Sequence, residues 1–422
     1  MTDQTGVLIV GGSVGGLRTA EALRRNGYAD PITLLEADGH LPYDRPALSK
    51  KLLGAGGAAA VVHLRTQRDL DQARIDVRLR ARAGSLDTAG RTLRLADGGA
   101  IGYSALVLAT GARARELPGL PRPAVHYLRT LDDAHRLRGG IESAASAVVV
   151  GAGFIGSEVA AAMAERGTAV TVVEPAGYPL ERVLGAAVGL RLARLHESHG
   201  VRLLPGRAVV ELRPTRAGPA PYRVLLDDGG ALPADLVVAG IGAVPNTEWL
   251  AGSGIAVDDG VACDEFCRTN VPGVFAVGDV ARWPNALFGE SMRVEHWTNA
   301  MEQAATVAWN VTHPDEPRGY APVPYVWSDQ YGLRLQIAGR PRADDEVRIV
   351  EDDPAAPVLV ALYSREDRLT GAFTLNAPRR LLTLRRALAA RTPLAQVMQE
   401  FPVPAVPGGG AGALQHPAYK ML

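Results

Sequence analysis

The order of apolar and polar positions repeats itself along the chain. Val7–Val10 is a short β-branched run, followed by Gly11-Gly12-Ser13-Val14-Gly15-Gly16. Leu17–Asn26 then has helical spacing, with apolar residues at Leu17, Ala20 and Leu23, and Ile32–Glu36 reads as the next strand. This is a βαβ unit. The same order returns about 140 residues on, as Ala147–Val150, Gly151–Gly156, the Ala-rich run Ser157–Arg166 and Val170–Glu174. The pattern predicts an internal duplication of a nucleotide-binding unit.

Thr92–Leu95, Leu106–Ala109, Arg223–Leu226, Leu236–Gly240 and Val274–Val277 read as further short strands. From Tyr320 the pattern changes. Leu333–Ala338, Glu346–Val350, Val358–Tyr363 and Leu369–Leu375 predict strands, and Pro378–Ala390 and Pro393–Phe401 predict helices. The fold class expected is α/β, with two Rossmann-like dinucleotide-binding domains and a separate C-terminal α+β domain. The tail from Pro402 is rich in Pro and Gly and reads as flexible.

The first glycine loop, Gly11-x-Ser13-x-x-Gly16, carries serine where the dinucleotide fingerprint has its second glycine. What the chemistry requires is a tight turn whose backbone N–H groups face a pyrophosphate at a helix N-terminus. Serine is small enough for that, and Gly12 and Gly15 flank it. Glu36 follows Gly11 by 25 residues and can accept hydrogen bonds from ribose hydroxyls. Ala109-Thr110-Gly111 and Val277-Gly278-Asp279 end strands in small residues or an acid, as ligand-binding ends of a doubly wound sheet do. The second loop, Gly151-Ala152-Gly153-Phe154-Ile155-Gly156, has the full fingerprint. Glu174 follows it by 23 residues, which predicts NADH over NADPH, and Arg182 could soften that preference.

Composition narrows the classes. Lys plus Arg equals Asp plus Glu, 45 each, so nothing points to nucleic acid or an anionic membrane as partner. No stretch approaches the ~20 apolar residues of a membrane span. Met1–Gly6 lacks the features of a secretory signal, so a cytoplasmic protein is expected. Cys263 and Cys267 are the only cysteines, and their spacing is not that of a C-x-x-C redox pair. They read as reduced and structural; no metal site is expected. Lysine occurs only at 50, 51 and 420.

The sequence Gly11–Gly16, Leu41-Pro42-Tyr43-Asp44-Arg45-Pro46-Ala47-Leu48-Ser49-Lys50, Ala109-Thr110-Gly111, Gly151–Gly156, Val277-Gly278-Asp279 and Glu295-His296-Trp297 resembles the FAD-dependent NADH:ferredoxin reductases of bacterial oxygenase systems. The resemblance runs from about residue 5 to residue 400. It implies a disulfide-reductase-like architecture: an FAD domain of residues 1–113 plus 244–320, an NAD domain at 114–243, a C-terminal domain at 321–402 and a tail at 403–422. FAD contacts are implied at Ser13, Val14, Gly15, Glu36, Arg45, Lys50, Ala83 (through its backbone), Arg129, Asp279 and Trp297. Nicotinamide contacts are implied at Gly153, Phe154, Ile155, Gly156, Glu158, Glu174, Arg182 and Gly242.

Related disulfide reductases and NADH oxidases place a reactive cysteine just after the first βαβ unit. Here that stretch reads His40-Leu41-Pro42-Tyr43, so electrons must leave from the flavin itself. Lys50 is the candidate cation beside the flavin, where negative charge gathers on reduction. Glu158, expected at the start of its helix, would pair with Lys50 across the domain interface and align the nicotinamide. The implied partner is an acidic iron–sulfur ferredoxin, docked by arginines drawn from Arg65, Arg68, Arg293, Arg334, Arg379, Arg380, Arg385 and Arg386; a monomer or weak dimer is expected. Two other readings stay open: a reductase of rubredoxin or a small quinone or radical, and a non-catalytic flavin-based redox sensor.

Overall fold

The computed structural model describes residues 6–54, 63–120, 124–215, 220–353 and 355–401. Expectations for the tail and for the first five residues lie outside these.

Val7–Val10 is buried at all four positions, as a strand with sheet on both sides must be. It pairs in parallel with Ile32–Leu35 on one side and Ala105–Leu108 on the other. The sheet is completed by Ile75–Arg78 at one edge and Val274–Ala276 at the other. That last strand comes from far along the chain, so residues on both sides of the duplicated unit build one sheet. Its partner sheet is also parallel, in the order Arg202–Pro205, Ala169–Glu174, Ser146–Val150, Leu236–Ala239. Both crossovers run through helices that begin at the glycine loops, Val14–Arg25 and Phe154–Ala164.

The C-terminal unit is an antiparallel five-stranded sheet, ordered Tyr325–Gln330, Leu333–Gly339, Arg368–Leu375, Val358–Arg365, Glu346–Asp353. Helix Pro378–Ala390 buries Leu381, Leu384 and Leu388 in the same cluster as Val360, Leu362 and Ala372. Among the described residues no helix is long and apolar enough to cross a membrane.

The expected strands are found within a few residues, but five elements go beyond the sequence pattern. Both crossover helices start three residues earlier than their apolar periodicity, because the last residues of each glycine loop form the first turn. Helix Trp297–Thr312 turns polar side chains inward: Asn299, Gln303 and Asn310 are buried and bond to Val294 O, Gly278 N and Phe266 O. Helix Glu181–Ser198 is broken at Gly185, where φ is +71°. Strand Tyr325–Gln330 carries Ser328, Asp329 and Gln330 where apolar residues would have marked it.

Cys267 is fully buried and Cys263 partly so, and both are free thiols. Burial pushes both thiols up, Cys267 to about 12, so each stays protonated.

His196 closes the junction between helix Glu181–Ser198 and the C-terminal sheet. It is 1% exposed, its Nδ1 lies 2.7 Å from Tyr331 Oη, and His199 stacks on the Tyr331 ring. Burial, aided by His199, pulls His196 down to about 4. The neutral ring is therefore the folded form, and its contribution is complete above pH ~6.5 and lost as pH falls from there toward 4. Urea unfolding should show stability dropping across that window by about 3 kcal/mol from this residue. His196→Gln, which keeps a hydrogen-bonding group, should flatten the slope; an unchanged slope would assign the loss to other groups.

Candidate functional site

The two glycine loops open onto one cleft of about 1290 Å³. This exceeds the roughly 300–1,000 Å³ of a pocket for one small molecule. Every residue expected from the sequence to contact a cofactor lines it except Gly16 and Gly156. A Cβ at Gly16 would sit 1.9 Å from Gly11 O, and one at Gly156 2.0 Å from Gly151 O. Their role is to let each helix pack on its own loop.

The loops match at each step. Gly11 and Gly151 have φ of +116° and +93°, and a side chain on either would strike the neighbouring strand end, at Ala109 O or Gly240 O. Ser13 and Gly153 are the helix N-caps, both extended, and neither supplies a side-chain cap. Ser13 Oγ instead accepts from Arg45 Nε at 3.0 Å, so it does not compete for the helix N–H groups. At Gly153 an added Cβ would meet nothing closer than 3.8 Å, so the fold itself does not demand glycine there. Both helix N-termini thus present free N–H donors to the cleft, which is what a pyrophosphate requires.

The two acids also match. Glu36 accepts from Gly12 N at 2.9 Å and Asp38 N at 3.0 Å. Glu174 accepts from Ala152 N at 2.6 Å and Ala176 N at 2.8 Å. Each carboxylate therefore braces its glycine loop as well as lining the cleft. Burial raises the Glu36 carboxyl above the ordinary range, opposed by the Asp38 N–H and the Arg45 charge.

Arg45, Arg129 and Asp279 form a linked wall. Arg45 donates to Arg129 O at 2.8 Å, and Arg129 donates to Asp279 at 2.7 Å and to Ala112 O at 2.7 Å. Thr110 Oγ1 bonds to Asn246 O, and Gly111, Gly242 and Gly278 turn with positive φ around this wall. Ala83 opens a strand at the cleft edge. Val14, Gly15, Phe154 and Ile155 lie in the first turns of the two helices, and Arg182 is exposed at the rim. Glu295 is exposed and paired with Arg293 at 2.5 Å. His296 caps helix Trp297–Thr312, and its Nδ1 is buried without a partner. Burial, aided by Arg340 and opposed by Asp279, pulls this imidazole down to about 4, so it is neutral at pH 7.

Lys50 and Glu158 meet where the two halves of the cleft join. Lys50 Nζ lies 2.8 Å from Glu158 Oε1. Glu158 is 3% exposed and also accepts hydrogen bonds from Ser49 and Ser328. The helix begins at Phe154, so Glu158 stands beyond its first turn. Three side chains hold its carboxylate.

Several cleft residues were not foreseen. Trp327 comes from the C-terminal sheet and meets Trp297 edge-on, with ring centroids 6.1 Å apart. Arg340 directly follows strand Leu333–Gly339 of the same sheet, and Glu181 opens helix Glu181–Ser198. A tryptophan in a chain with five was the one available signal. Neither cysteine lines the cleft.

Comparison with known proteins matches this geometry. The family model described as pyridine nucleotide-disulphide oxidoreductase covers residues 5–304, and a reductase C-terminal model covers 325–399. The ferredoxin–NAD(+) reductase component of the anthranilate 1,2-dioxygenase system of Burkholderia cepacia is 38% identical, over 91% of this chain and 94% of its own. In the covalent putidaredoxin reductase–putidaredoxin complex the matching chain is 31% identical with a TM-score of 0.88, over 95% of this chain and 99% of that one. The ferredoxin reductase for the CYP199A2 system of Rhodopseudomonas palustris is 36% identical with a TM-score of 0.86, over 93% and 96%. The chain is a member of the pyridine nucleotide-disulphide oxidoreductase family.

Proposed function

We propose that this chain is an FAD-dependent reductase that oxidises NADH and delivers electrons singly to a ferredoxin serving an oxygenase. The observation that carries the reading is the Lys50–Glu158 pair, set at the meeting of two dinucleotide-type loops in a cleft that contains no cysteine. Bound FAD would supply the conversion of a two-electron donor into single-electron steps. The chain's own residues bind, orient and shield. The free N–H groups after Ser13 would hold the FAD pyrophosphate, with Glu36 at its ribose and Asp279 at the ribityl chain. Those after Gly153 and the Glu174 carboxylate would hold NADH. Lys50 would place its positive charge beside the ring that gains electrons.

The FAD part on this reading comprises residues 1–113 with 244–320, around the NAD part at 114–243; strand Val274–Ala276 in the first sheet supports it. The docking face narrows to helix Pro378–Ala390, where Arg379, Arg380 and Arg386 are exposed. Arg385 on that helix lies over Tyr325, Tyr325 stacks on Trp327, and Trp327 reaches the cleft. Arg65, Arg293 and Arg334 are tied to Glu21, Glu295 and Asp329, and on the helix itself Arg380 and Arg385 are tied to Glu351 and Glu302, so Arg379 and Arg386 carry its freest charge.

Cytochrome c reduction by NADH tests the proposal. The expected result is strict dependence on an added iron–sulfur protein, in line with the NADH-reduced flavin as donor. Fast turnover with a quinone and no ferredoxin effect would replace the ferredoxin with a diffusible acceptor. No flavin reduction by NADH would end the catalytic reading.

A further inference from the structure

We infer that Ser328, on the C-terminal sheet, is a positioning residue for the Lys50–Glu158 pair, so that this domain helps set the alignment between NADH and flavin. The inference rests on the NADH-oxidising reading above.

Ser328 is fully buried. Its strand, Tyr325–Gln330, packs against the helix that carries Glu158. Alternation along a strand sends neighbouring side chains to opposite faces. Tyr325 and Trp327 therefore lie on the face toward Arg385, while Ser328 and Gln330 lie on the other, with Val326. A hydroxyl has one proton to give. Gln330 Nε2 donates to Ser328 Oγ at 3.1 Å, which occupies an acceptor site on that oxygen. The Ser328 proton goes to Glu158 Oε1 at 2.6 Å, the same oxygen that Lys50 holds at 2.8 Å. Ser49 takes the other carboxylate oxygen.

The Glu158 carboxylate is thus gripped by three side chains from two chain segments, Ser49-Lys50 and Ser328. Lys50, with a side chain 18% exposed, pulls on it from the cleft side. Ser328 is the counter-anchor from within the protein. Without it, Oε1 keeps Lys50 alone, and the pair is free to shift toward the cleft. Reactions that depend on donor–acceptor alignment are sensitive to shifts of this size.

Stopped-flow reduction of the FAD-loaded protein by NADH tests this with Ser328→Ala, Ser328→Cys and Ser328→Thr. Cysteine keeps the shape and gives up most of the donor strength. The expected result is a limiting reduction rate about 10- to 100-fold lower in both the Ala and Cys variants. The NADH dissociation constant should move by no more than about 3-fold, the split expected when alignment rather than binding is lost. Ser328→Thr, which retains the hydroxyl, should recover most of the rate. A Cys variant at the wild-type rate would overturn the inference, because packing alone would then suffice. An equal loss in rate and NADH affinity would overturn it too. Failure of NADH to reduce the wild-type flavin would sink the underlying reading instead, and this inference with it.

Discussion

Replacing Lys50 with methionine should slow flavin reduction by saturating NADH by roughly 100- to 1,000-fold, the loss typical of removing one preorganised group from developing charge. The reason is where the lysine stands. Its Nζ is 2.8 Å from a carboxylate that is 3% exposed, at the junction of the two loops. Removing it does two separable things. It takes a positive charge away from the cleft, and it leaves Glu158 buried with two hydroxyls as its remaining donors. Breaking one half of a buried pair costs about 3–5 kcal/mol, and the surviving hydroxyls place this case near the lower end. Lys50→Met with Glu158→Gln should recover most of the stability, because no buried charge remains, yet stay slow. Urea unfolding measures the first effect and stopped flow the second. Lys50→Arg should rescue only in part, since a planar fork cannot replace a compact ammonium in the same space. A methionine variant reduced at the wild-type rate would make Lys50 a structural counter-ion only.

The contrast between Lys50 and its neighbours shows what the sequence can reveal. The two glycine loops, their following acids and the strands that flank them are local features, each written within about 35 residues. Their periodicity and spacing could be read directly. Lys50 stood out because lysine is rare here. Ser49 and Ser328 did not stand out at all. They reach Glu158 across separations of 109 and 170 residues, and a serine carries no pattern of its own. The same holds for Arg340 and Glu181, which join the cleft only through tertiary packing. Helix Trp297–Thr312 was hidden for a related reason. Its inward face uses Asn299, Gln303 and Asn310 to satisfy backbone groups of distant loops, so the apolar stripe that marks a helix is interrupted. Gly16 and Gly156 show the opposite case. The motif located them correctly, but the contact that demands glycine is with their own loops.

Glu174→Arg should move the ratio of NADH to NADPH catalytic efficiency toward NADPH by roughly 100- to 1,000-fold, or about 2.7–4.1 kcal/mol. The structure changes how that shift is divided. Besides the ribose contact proposed for it, Glu174 accepts from Ala152 N and Ala176 N, bracing the fingerprint loop against the turn that follows the strand. Arginine has no acceptor to replace either bond. The loop N–H of Ala152 is therefore freed in the variant, and use of both cofactors should suffer from the looser loop. Glu181 adds a second carboxylate to the same wall, held by Tyr178 N at 2.8 Å, and it still opposes a 2′-phosphate. Most of the ratio change should accordingly come from lost NADH efficiency, with only a small gain for NADPH. Glu174→Gln separates the two roles. It keeps one acceptor oxygen for the loop but removes the charge, so NADH efficiency should fall by about 10-fold, with little change in NADPH use. If Glu174→Arg left the ratio unchanged while lowering both efficiencies, the carboxylate would be a loop brace alone, and cofactor choice would rest with Glu181 and Arg182.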